Sequence, residues 1–144
     1  MIKIAIGSDH RGFILKQEII PYLKKKGMLV TDVGAYSRQS CDYPEFAVKV
    51  GRLVSKRKAR FGILVCSSGL GMAIAANKIQ GIRAANCFNI ISARFAREHN
   101  DANILVLGAK FVDKNLAKRI VNIWLKTKFL GGRHKRRIKL ISQE

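Results

Sequence analysis

A chain of 144 residues has the size of one domain and can bury a core without disulfides or a structural metal. With 48% hydrophobic residues and two prolines it is not a disordered sequence, and no apolar run is long enough to span a membrane. The charge is lopsided: 28 Lys and Arg against 9 Asp and Glu give +19, which raises nucleic acid as a partner and equally a phosphorylated metabolite.

Apolar strand-like runs alternate with longer amphipathic stretches, the βα pattern of a mostly parallel sheet covered on both faces. Ile2–Gly7 reads as the first strand. Gly12–Lys26 reads as a helix with Phe13, Ile14, Ile19, Ile20 and Leu23 inward, and Pro21 is expected to kink or split it. Gly27 ends that helix, Met28–Val33 is the second strand, and Gly34–Tyr43 is a polar loop. Pro44 suits a first helical turn and opens a helix to about Lys58.

Arg60–Cys66 is the third strand. A glycine-rich turn, Ser67–Gly71, leads into a short helix, Met72–Lys78. Ile82–Asn86 is a fourth strand, Asn89–Glu98 a helix and Ile104–Leu107 a fifth strand. Asp113 caps a helix to about Lys126 with Leu116, Ile120, Ile123 and Trp124 inward. After Gly131-Gly132 a basic segment, Arg133–Ile141, reads as helical. The expected fold is therefore α/β: a three-layer α/β/α sandwich around a five-stranded parallel, Rossmann-like sheet. Residues 1–144 form one domain, since neither a repeat nor a linker divides them.

In such sheets ligands bind past the carboxyl ends of the strands, near a switch in strand order. Ser8-Asp9-His10, Cys66 to Gly71 and Gly108 to Lys110 hold those positions. Glycines in the Gly69-Leu70-Gly71 turn can turn backbone N–H groups toward an anion or a developing oxyanion. The turn lacks the GK[ST] of a nucleotide phosphate loop, and the first strand lacks the GxGxxG of a dinucleotide site. Cys66, just before the turn, sits where a helix-end field and basic surroundings favour a thiolate, although a free cysteine is often only a small buried hydrophobe.

Cys41 and Cys87 have no such setting and read as structural. Three widely spaced cysteines make neither a disulfide framework nor a zinc pattern, which suits a reducing cytoplasm. His10, His99 and His134 are the only histidines; any could move a proton near neutral pH, and none has metal-ligand spacing. His99-Asn100 follows a helix and precedes the fifth strand, which puts it at the opposite end of the sheet unless a partner subunit presents it. Arg133 and Arg137 lie four apart on one helical side and suit a phosphate clamp. The basic runs have few aromatics and no helix-turn-helix, RNA-binding or zinc-finger pattern, so specific nucleic-acid binding is not expected.

The chain resembles the ribose-5-phosphate isomerase B family, which includes the galactose-6-phosphate isomerase subunits. The resemblance rests on an ordered set of segments. These are Gly7-Ser8-Asp9-His10 with Gly12-Phe13, Asp42-Tyr43-Pro44, Cys66-Ser67-Ser68-Gly69-Leu70-Gly71, Ala75 to Lys78 with Gly81 to Ala84, His99 to Asn103, and Gly131 to His134 with Arg137. It implies interconversion of D-ribose 5-phosphate and D-ribulose 5-phosphate through an enediolate, in the pentose phosphate pathway, with no metal and no organic cofactor. It also implies a homodimer, sometimes paired into a tetramer, whose sites are shared between chains and reached by residues 131–144.

Carried onto these residues, the resemblance makes Cys66 the base, Ser68 a holder of the reacting carbonyl, and His99 the group that opens the sugar ring. Asp9 and Asn100 would orient hydroxyls, with Tyr43 and Ser67 lining the site and the Gly69, Leu70 and Gly71 backbone holding the enediolate. His10, Arg133, His134 and Arg137 would bind phosphate, with Lys110 standing where the family commonly has arginine. Alternatives are an isomerase of allose 6-phosphate or galactose 6-phosphate and, as a minor reading, a nucleic-acid-binding protein on the same scaffold. The resemblance does not account for the net charge.

Overall fold

The computed structural model describes residues 1–143. Five strands, β1 (Lys3–Ser8), β2 (Leu29–Asp32), β3 (Phe61–Cys66), β4 (Ala84–Asn86) and β5 (Ile104–Gly108), form one parallel sheet in the order β2-β1-β3-β5-β4. The helices are α1 (Phe13–Lys25), α2 (Tyr43–Ser55), α3 (Leu70–Asn77), α4 (Ile90–Glu98), α5 (Lys114–Lys126) and α6 (Arg133–Ile141). The expected three-layer sandwich is borne out.

Strand alternation divides the core. Ile4, Ile6, Ile63, Val65, Leu105 and Leu107 face α1, α4 and α5, where Trp124 is fully buried. Ala5, Leu64, Cys66, Ile104 and Val106 face α2 and α3. Connections leave β1 toward β2 on one side and pass to β3 on the other, so strand order reverses between β1 and β3. That reversal opens a crevice at the carboxyl end between Ser8 and Cys66.

Three differences from the sequence reading have physical causes. Helix α1 runs through Pro21 without splitting. Pro21 is exposed, so the carbonyl it leaves unbonded meets water, while Leu15, Ile19 and Leu23 pin both halves to the sheet. Ile14, expected inward, is exposed, and Lys16 is completely buried instead. Its ammonium donates to Asp32 Oδ1 and to the Ala35 carbonyl, both at 2.6 Å, which offsets the cost of burying the charge. Strand β4 begins two residues late because the Ile82 and Arg83 N–H groups go to Ile79 O and Asn103 Oδ1.

The caps read from sequence are present where they count. Asp113 Oδ1 accepts from Leu116 N at 2.7 Å, and Pro44 lies in the first turn of α2. Helix α6 is different, because none of its side chains is buried. It touches the body where His134 stacks on His99 and, just before it, where Leu130 N donates to Glu98 O.

Candidate active site

The carboxyl end of β3 delivers Cys66 into the crevice, almost buried at 5% exposure. Its sulfur accepts the Gly69 N–H at 3.1 Å. Gly69 has φ +84, a left-handed conformation that folds the chain back over the thiol before α3 begins at Leu70. A Cβ on Gly69 would collide with the Asn86 amide, which closes the other side of the turn. Asn86 Nδ2 donates to Ser68 O at 3.3 Å, and Ser68 Oγ accepts from Leu70 N at 3.2 Å. The turn is thus held from both flanks, with its backbone and the Ser67 and Ser68 side chains at the rim.

Neighbouring loops close round this turn. Ala109 N and Lys110 N donate to the Cys66 and Ser67 carbonyls at 2.8 and 3.0 Å, which brings the exposed Lys110 to the same rim. The Tyr43 ring packs on Gly71 so closely that a Cβ there would have no room. Past β1, Asp9 Oδ1 accepts from Arg11 N and Gly12 N at 3.0 and 2.9 Å. The second carboxylate oxygen, Oδ2, has no hydrogen-bond partner among the described residues and can receive one from outside. His10 Nδ1 accepts from Cys41 N at 3.2 Å, so the neutral ring carries its proton on Nε2 and offers it outward. Ser8 Oγ and Asn86 Oδ1 are buried here without a hydrogen-bond partner among the described residues.

A second cluster forms at the other end of the sheet. His99 caps α4 and lies between Phe95 and His134, with ring centroids 4.7 and 4.5 Å away. Burial, then the positive charges of His99, Arg133 and Arg137, pushes the His134 imidazole below its ordinary value, against a smaller opposing pull from Glu98. Asn100, Arg133 and Arg137 are exposed beside this stack. The segment is fixed by Asp101, a non-glycine residue at φ +43. The almost fully buried Arg97 donates to Asp101 Oδ1 at 2.8 Å and to Ala102 O at 2.7 Å, while Arg83 donates to Asn100 O at 2.9 Å and Asp101 O at 3.0 Å. Burial lowers the Arg97 guanidinium from its ordinary value and Asp101 opposes the shift.

The residues singled out from sequence therefore fall into two groups. Asp9, His10, Tyr43, Ser67, Ser68, Gly69, Leu70, Gly71 and Lys110 gather round Cys66. His99, Asn100, Arg133, His134 and Arg137 do not. Cys66 pairs with Gly108 at the last residue of β5, whereas His99 precedes Ile104 at its first. Four strand steps alone separate those ends by about 13 Å.

Sequence reasoning missed Asn86 and Cys41. Asn86 looked like an ordinary strand end, but its amide braces the Ser68–Gly69 turn. Cys41 looked structural, yet its N–H orients His10. Cys87 does fit the structural reading, with burial pushing its thiol up to about 11 against a smaller opposing effect of Ser92. Among the described residues no group of three His, Cys, Asp or Glu could hold a metal ion, and no helix is long and apolar enough to cross a membrane.

A buried thiol under a backbone turn, ringed by a carboxylate, an imidazole and hydroxyls, is the equipment of an α/β enzyme that moves protons. The chain belongs to the Ribose/Galactose Isomerase family, which matches residues 4–141. It is 46% identical over 142 residues to ribose-5-phosphate isomerase B of Escherichia coli strain K12, covering 99% of this chain and 95% of that one. A Clostridium thermocellum ribose-5-phosphate isomerase B structure superposes with a TM-score of 0.98 at 51% identity, covering 99% and 96% of the two chains. The Mycoplasma genitalium ribose-5-phosphate isomerase B, solved with bound ribulose-5-phosphate, does so with a TM-score of 0.95 at 42% identity, covering 99% and 95%.

Proposed function

We infer that the protein interconverts D-ribose 5-phosphate and D-ribulose 5-phosphate through an enediolate, with residues 1–144 acting as one cytoplasmic isomerase domain. The observation that carries the mechanism is the Cys66 sulfur held at 3.1 Å from the Gly69 N–H at the floor of the crevice. In this reading the sulfur takes the proton from C2 of the open-chain aldose and returns one to C1, while a hydroxyl proton passes from O2 to O1. The Gly69–Gly71 backbone and Ser68 hold the oxygens as negative charge builds on them. Asp9 Oδ2 accepts from a sugar hydroxyl, and His10 donates Nε2–H to the phosphate.

His99, Asn100, Arg133, His134 and Arg137 enter from a second copy of the chain. What supports this is their distance from Cys66 along their own sheet, together with α6, none of whose side chains is fully buried in its own chain. An exposed helix carrying Arg133, His134 and Arg137 can extend across to a neighbour, and with Lys110 it supplies positive charge for the phosphate. The assembly on this reading is a homodimer, alone or paired into a tetramer. The chemistry runs on the protein's own groups, without metal or organic cofactor.

Turnover of purified ribose 5-phosphate, allose 6-phosphate and galactose 6-phosphate tests the assignment. The expected order puts ribose 5-phosphate first in kcat/KM; preference for either six-carbon sugar overturns it.

A further inference from the structure

A second concavity lies away from the crevice beside Cys66. A half-open cleft of about 790 Å³ lies at the amino end of the sheet, between the start of β1, the segment after α2 and the loop before β4. Its rim carries Lys3, Arg57, Lys58, Arg60 and Arg83, and no carboxylate lines it. Lys3, Arg57, Lys58 and Arg60 are exposed, and none forms an ion pair among the described residues. Arg83 pairs with Asp101 at 3.6 Å, and the Arg60 guanidinium lies over the Phe61 ring at 4.2 Å.

These cations are not there to finish a helix. The closing carbonyls of α2 are already satisfied by backbone: Arg52 O by Lys56 N, Leu53 O by Lys58 N and Ala59 N, and Val54 O by Arg57 N. The same wrap holds Arg57 at φ +59, and Arg60 N bonds to Lys3 O at 2.8 Å, so the basic rim is fixed to the sheet. Four unpaired like charges round one concavity, with Arg83 beside them, repel one another unless an anion neutralises them.

We propose that this cleft is a second anion site, separate from the isomerase crevice, which takes a small ligand bearing two or more linked phosphoryl groups. Its volume lies in the range of small-molecule pockets. No aromatic ring lines it, so it offers no surface on which a nucleobase could stack. Phosphate charge is what it can read, and a compact concavity suits a small polyanion better than an extended polynucleotide backbone.

Titration of the intact protein with inorganic tripolyphosphate, followed by calorimetry, tests the site. Binding should saturate at one ligand per chain, weaken as salt is raised, and persist when ribose 5-phosphate is in excess. Arg57→Glu with Lys58→Glu should weaken it at least tenfold and leave the isomerase rate, which also reports folding, unchanged. Lys114→Glu with Arg119→Glu makes the same change in net charge on the exposed face of α5, and should leave binding within about twofold. The proposal fails if binding does not saturate, if ribose 5-phosphate displaces the ligand, or if both double variants lose affinity equally. It also fails if a single-stranded oligonucleotide binds more tightly than tripolyphosphate and is lost in the Arg57/Lys58 variant, which would make the cleft a nucleic-acid surface.

Discussion

The imidazole rings of His99 and His134 are stacked, 4.5 Å between centroids and 15° from parallel. Two stacked rings flanked by Arg133 and Arg137 cannot both take a proton cheaply. His134, pushed down from 6.5 by burial and then by these charges, should titrate below a free histidine in an NMR experiment. Arg137→Gln should move its midpoint upward. Because the unfolded chain gains this proton first, the residue's contribution to stability falls as pH drops from 6.5 through the folded-state midpoint. A midpoint at or above 6.5 in the wild type would contradict the assignment.

Replacing the thiol tests the proposed base. Cys66→Ser keeps the size and a possible bond from Gly69 N–H, but a hydroxyl scarcely ionises near neutral pH. We expect kcat to fall at least about a hundredfold, the lower range for general acid–base catalysis. Exchange of the C2 proton with solvent should vanish with it, and affinity for a phosphorylated substrate analogue should hold. Near wild-type turnover of ribose 5-phosphate by this variant would assign the base to another residue.

The proposed sharing of sites between chains makes a quantitative prediction. Cys66→Ser and His99→Asn homodimers should each be nearly inactive. After mixing, denaturation and refolding, half the dimers are hybrids in which one site lacks both residues and the other is intact. Activity should then return to roughly a quarter of the wild-type value. No recovery, with hybrids present by native mass spectrometry, would place both residues in one chain's site.

Arg97 has a structural task with a functional consequence. Its guanidinium, nearly buried against Phe61 and Trp124 at 4.9 and 5.6 Å, ties α4 to Asp101 and so fixes the His99–Asn100 segment. Asp101 is 31% exposed in its side chain, so breaking the pair costs less than a fully buried one. Arg97→Met should lower stability by about 2 kcal/mol and reduce Tm by several degrees. Turnover should fall further than the folded fraction does, because His99 loses its setting. Equal losses in folding and turnover would make Arg97 a core residue only.

Much of the fold is legible in the chain because its physics is local. Alternating Ile, Val and Leu mark the strands, Asp113 and Pro44 mark helix starts, and Cys66 stands before a glycine turn. Lys16 is not legible, since what makes its burial tolerable is Asp32 and Ala35, brought in by a strand and loop far along the sequence. The brace that Asn86 gives to Ser68 likewise depends on two strands with β5 between them. His99 could be placed at the opposite end from its order after a helix, and within its own chain it stays there.

Helix α6 sends no side chain into a core, so its sequence is almost decoupled from whether the chain folds. Substitutions there draw little on the narrow stability margin that filters changes elsewhere. On the proposed reading of α6 as a phosphate-binding helix, it is consequently where natural drift or a directed library retunes ligand choice at least cost in stability. A randomised α6 should yield a far larger share of folded variants than an equal-sized library in β3, where every side chain is buried.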